Sequence, residues 1–106
     1  MTGQEPSERD LLERRIALVA DLSALTARTH KLIQELSAME MEALRIELEI
    51  GRSSRSDELA RELREVEDRA AALRSSQADC LEETKAVEAE VEDVDRLIAA
   101  ARGGNS

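Results

Sequence analysis

A chain of 106 residues in which 37% are charged, 42% are hydrophobic and none is Phe, Tyr or Trp is one domain at most. A globular core of this size relies on aromatic rings for buried area; their absence, beside abundant Ala, Leu, Glu and Arg, is the composition of long paired helices. The formal charge of −9 repels phosphate backbones and so excludes general nucleic-acid binding.

Residues 1–6 read as a disordered tail ending at Pro6, and Met1 to Glu5 are too polar and acidic for a signal or transit peptide. Ser7, with Asp10 three residues on, has the pattern of a helix N-cap. Helix 1 then covers 7–50. Its apolar seam runs Leu11, Arg15, Leu18, Leu22, Leu25, Thr29, Leu32, Leu36, Met39, Ala43, Ile46, Ile50, in alternating steps of four and three. That rhythm belongs to a helix burying one narrow stripe against another helix, and disordered chains lack it.

Residues 51–58, Gly-Arg-Ser-Ser-Arg-Ser-Asp-Glu, read as a turn. Carried forward from Ile50, the heptad puts Ser53, Asp57 and Ala60 on the seam, yet the next apolar seam restarts at Leu59. Coiled coils absorb insertions of three or four residues, and this offset is neither, so the chain reverses here. Ser54 or Ser56 serves as the expected cap of helix 2, with Asp57 and Glu58 complementing its N-terminal dipole.

Helix 2 covers 59–102. Its seam runs Leu59, Leu63, Val66, Ala70, Leu73, Gln77, Cys80, Thr84, Val87, Val91, Val94, Ile98, Ala101. Gly103 and Gly104 then release the chain into a second disordered tail, 103–106. The fold class is therefore all-α: an antiparallel two-helix coiled-coil hairpin that forms part of a larger helical bundle. Folding back over the turn pairs residues whose numbers sum to 109, among them Ile46–Leu63, Met39–Ala70, Thr29–Cys80, Leu18–Val91 and Leu11–Ile98.

Charges beside the seam are mixed. Glu42 with Arg69 and Arg28 with Glu83 attract in this register, while Asp21 with Glu90 and Glu49 with Glu62 repel. Arg15, Thr29, Gln77 and Thr84 interrupt the stripe and read as register control at a cost in stability, with a soft mid-section that bends or accepts a partner as the alternative.

Signs of catalysis are sparse. His30 and Cys80 fall at one level of the hairpin, but Cys80 points into the seam and His30 away from it, so Cys80 reads as a small buried residue. No His/Cys spacing suits zinc, no Gly-rich loop cradles phosphate, and the acidic run from Glu88 to Asp95 lacks a calcium loop's spacing. Leu12 to Val19, with Lys31 further on, resembles the long first helix of all-helical chorismate mutases. Arg15 sits on the seam, however, and the second half supplies no matching Arg and Gln/Glu set, so the resemblance implies no activity. Neither a cofactor nor a small-molecule substrate is expected.

No apolar run approaches the ~20 residues of a membrane span. The lone Cys80 fits a reducing compartment, which makes the cytoplasm or nucleus the expected location.

The two helices differ outside the seam. Helix 1 has a second apolar stripe, Leu12, Ile16, Val19, Thr26, Ile33, Met41, Leu44 and Leu48, whereas helix 2 offers only scattered Leu81, Leu97 and alanines. A two-helix hairpin cannot cover both stripes of helix 1, and contiguous exposed apolar side chains mark interfaces. The expected function is a non-enzymatic scaffold or adaptor subunit of a multiprotein helical complex. It binds helical partners, or itself, through Leu12, Ile16, Val19, Ile33, Leu44 and Leu48. A homodimeric four-helix bundle and a small holdase-type chaperone are the alternatives.

Overall fold

The computed structural model describes residues 6–52 and 54–103. Most of both tails, residues 1–5 and 104–106, lies outside the described residues, as does Ser53. Among the described residues two helices make up the regular structure, α1 (Glu8–Ile50) and α2 (Ser56–Gly103). They contribute to two compact units: a terminal unit, Met1–Ala27 with Glu82–Ser106, and a turn unit, Arg28–Leu81.

The helix ends have local causes. Ser7 Oγ accepts the Asp10 backbone N–H at 3.1 Å, and the Ser7 carbonyl accepts that of Leu11 at 3.0 Å, so one residue starts α1 with both its side chain and its backbone. Glu8 and Asp10 place negative charge against the exposed N–H groups of the first turn. At the other end, the Arg52 N–H donates to the Glu49 carbonyl at 3.0 Å and turns the chain out of the helix. Gly51 needs no unusual backbone there: a Cβ would meet only the Leu48 carbonyl oxygen, at 3.7 Å. It ends α1 through its poor helix propensity.

α2 opens at Ser56, so the connection is 51–55 rather than 51–58 and Ser56–Glu58 form its first turn. The residue in the capping position is Arg55, whose carbonyl accepts the Leu59 N–H at 3.1 Å; neither Ser54 nor Ser56 occupies it. Acidic side chains still complement the dipole, and Arg55 Nε reaches Glu58 at 3.1 Å. α2 also runs one residue further than its sequence suggests, through Gly103, with Arg102 in its last turn.

In both units the helices pair antiparallel. In the terminal unit Leu11, Leu18, Val94 and Ile98 form a buried cluster, with Val87 and Val91 against it. Its ion pairs run Glu8–Arg102, Arg14–Glu90 and Arg15–Asp95, the α2 number falling broadly as the α1 number rises. In the turn unit the buried residues are Leu32, Ile46, Leu59, Ala70 and Cys80. Thr29 Oγ1 and Cys80 Sγ lie 3.0 Å apart in a hydrogen bond, two residues whose numbers sum to 109.

Every seam position of both helices is buried or half-buried, and almost everything else is exposed. The polar seam residues keep within this rule. Arg15 lays its stem along the seam and carries its guanidinium out to Asp95, while Gln77 is half-buried. No buried side-chain N or O atom lacks a partner among the described residues.

Two outcomes follow from this register. Cysteines at positions 46 and 63, in a Cys80→Ala background, should crosslink within one chain; non-reducing electrophoresis showing only between-chain products would refute the pairing. Gln77→Leu should raise the unfolding midpoint by the equivalent of about 1 kcal/mol, because it adds methyl groups to the seam at the expense of register control. Thermal unfolding followed by circular dichroism measures this.

Candidate partner-binding face

In α1 the residue following each seam position lies about 100° further round the helix, which puts Leu12, Ile16, Val19, Thr26, Ile33 and Leu44 on one row beside the seam, with Met41 and Leu48 on its far edge. All eight are exposed. The large apolar ones range from 37% exposed at Leu12 to 71% at Ile16. Leu12, Ile16 and Val19 belong to the terminal unit, and Ile33, Met41, Leu44 and Leu48 to the turn unit.

The turn unit adds a residue that sequence reasoning had dismissed as scattered. Arg74 Nη2 and Glu40 Oε2 pair at 3.2 Å across the two helices. Ile33 and Leu81 each lie one heptad from a member of that pair, so the same antiparallel spacing carries both to this side. Leu81 is 53% exposed and extends the stripe onto α2. The heptad phase of Leu81, taken with the index sum, was the available signal.

Next to this row the turn unit has a groove of about 440 Å³ lined by Met39, Glu40, Ala43, Leu44, Glu47, Glu67, Ala70 and Arg74. It exists because two small residues, Ala43 and Ala70, stand where larger ones would close the space between the helices. Glu40 is satisfied by Arg74, whereas Glu47 and Glu67 make no ion pair among the described residues.

The flanking charges settle differently from the sequence expectation. Glu42 pairs with Arg45 in its own helix, and Arg45 also donates to Glu49 at 3.0 Å. Glu90, which was expected to oppose Asp21, is answered by Arg14 at 3.7 Å. Asp95 holds Arg15 with a 2.6 Å bond from Nε, and this bond and the carboxylate charge raise the guanidinium's affinity for its proton. Hydrogen bonds from Arg45 hold the Glu42 carboxyl below the ordinary range; desolvation opposes this and the Arg45 charge adds to it. These groups are solvent-exposed, so they steer orientation more than they add stability.

Cys80 is fully buried against Thr29, while His30 is exposed. Among the described residues no group of three or more His, Cys, Asp or Glu is placed to hold a metal ion, and no helix is long and apolar enough to cross a membrane. No family model, no curated protein and no solved structure matches the chain.

The Glu42–Arg45 pair gives a pH-dependent outcome. Because the folded carboxyl titrates below its unfolded value, the pair's contribution is complete above the ordinary glutamate range and disappears as pH falls through the lowered value. Arg45→Gln should return the Glu42 midpoint to the ordinary range, read from the side-chain carboxyl resonance by NMR; an unmoved midpoint would assign the depression to another cause.

Proposed function

We propose that the chain is a non-enzymatic coiled-coil scaffold or adaptor subunit that joins a larger helical complex through α1. The observation that carries this reading is the uncovered apolar row of α1, beside an α2 whose outer face is mostly charged. Isolated surface leucines are ordinary, but a row with helical spacing along most of a helix is the mark of an interface. The buried, hydrogen-bonded thiol fits the cytoplasm or nucleus as the working compartment.

Magnitudes support a partner that covers several turns. Burying one such side chain completely contributes roughly 1.5–3 kcal/mol. Leu12, Ile16, Val19, Ile33, Leu44 and Leu48 are on average about half covered already, so all six supply roughly 5–9 kcal/mol. Association costs about 4–15 kcal/mol, a range that the row's contribution overlaps before the partner's own buried side chains are added.

Replacing Ile16 by Glu, Val19 by Ser and Ile33 by Glu together should abolish assembly, measured by sedimentation and by co-purification of the partner, and leave helicity intact. Changes at Glu82, Ala89 and Arg96 on α2 should be nearly silent. Normal assembly of the α1 triple variant, or loss of assembly from the α2 changes, would transfer the interface to another face. A wild-type dimer that the triple variant dissolves would identify self-association as the use of this face.

A further inference from the structure

The groove in the turn unit specifies the chemistry of the partner, on the assumption that the α1 row is a docking face. Its apolar lining is Met39, Ala43, Leu44 and Ala70, and both helices add a carboxylate, Glu47 from α1 and Glu67 from α2. Glu40 and Arg74 neutralise one another at the same groove, whereas Glu47 and Glu67 line it without an ion-pair partner among the described residues. Two carboxylates on one groove without a salt-bridge partner attract an incoming cation.

The terminal unit repeats the arrangement. Leu12 and Val19 lie three residues before and four after Arg15, and so share its side of α1. Glu88 and Glu92 lie seven and three before Asp95, and so share its side of α2. The Arg15–Asp95 pair joins those two sides, which sets Glu88 and Glu92 beside the apolar row. Neither makes an ion pair among the described residues, and Lys85, the basic residue nearest them on that row, is held by Glu82 at 3.7 Å. Arg64, three residues before Glu67, is a basic side chain on the same side of α2, in addition to the paired Arg74.

We infer that the occupant of this face is an amphipathic helix from another protein, with apolar residues at heptad spacing and Lys or Arg along the flanks that meet Glu47 and Glu67. The apolar residues enter between Leu44 and Ala70, and the cations one turn away meet the two carboxylates. A second copy of this chain is the poorer occupant. In the turn unit its own row is bordered by Glu47 and Glu67, so docking that unit on the same unit of a second copy sets carboxylate against carboxylate.

The test uses the full chain and two synthetic helical peptides of about three heptads, with identical apolar positions and either Lys or Glu at every flanking position. The Lys peptide should bind and weaken as salt is raised, while the Glu peptide binds roughly tenfold more weakly or not at all. Glu47→Gln with Glu67→Gln should weaken the Lys peptide roughly three- to tenfold. Glu65→Gln with Asp68→Asn, which removes the same charge from α2 outside the groove, should leave it unchanged. Circular dichroism of each variant confirms that the helices persist.

Equal binding of the two peptides, an equal loss in the Glu65/Asp68 variant, or no binding of either peptide would overturn the inference. If both peptides bind alike and Leu44→Ser abolishes both, the docking face stands and only its charge preference falls. Sedimentation of the wild-type chain as a dimer that Leu44→Ser dissolves would give the face to a second copy instead.

Discussion

Everything in this fold depends on the apolar seam between the helices, because α2 has no second stripe to bury. Without an aromatic side chain, the buried residues are Leu, Ile, Val, Ala and one Cys, and each covers a modest area. Helices this rich in charge do not hold their shape alone in water; they become stable when an apolar stripe finds another stripe. The consequence is a narrow tolerance in register. A slip of one residue on either helix would turn Val94, Ile46 or Cys80 out of the seam and bring charged neighbours in.

Close approach at the seam sets where polar groups can go. Thr29 and Cys80 satisfy each other inside it, so a layer with few methyl groups is closed by a hydrogen bond instead of being left loose. Arg15 occupies a seam position because its stem is apolar and its head reaches Asp95 at the surface. Ala43 and Ala70 leave a groove with Leu44 at its edge. The seam thus shapes the outer surface as well as the core.

What the sequence revealed and what it concealed divide along a physical line. The seams were legible in full, since a heptad is a backbone periodicity and burial follows from it residue by residue. Ser7 was legible too, because an N-cap is a local contact between residues three apart. The start of α2 was less so: its first carbonyl bond comes from Arg55, a residue type with no capping preference, and nearby serines drew attention from it. Ion pairs were least legible. Glu42 had Arg69 as its expected partner across the seam, but Arg45 in its own helix is fixed by backbone geometry alone, and so it is always within reach. The candidate face was legible on α1 as a second stripe, but Leu81 joined it only once the Glu40–Arg74 pair fixed which sides of the two helices meet.

The asymmetry between the helices gives the molecule a direction. α2 has one apolar stripe and spends it on α1, so its remaining surface is mostly charged. α1 has two, and only one can face α2. A stripe left over is a liability, because exposed apolar rows promote indiscriminate association. Glu47 and Glu67 line the groove beside it, and on the reading proposed above they disfavour a second acidic copy and favour a helix that brings positive charge. In that proposal the apolar row supplies affinity and the carboxylates supply discrimination. The same proposal accounts for both features standing side by side, since carboxylates at an apolar groove gain a purpose only when a cationic helix occupies it.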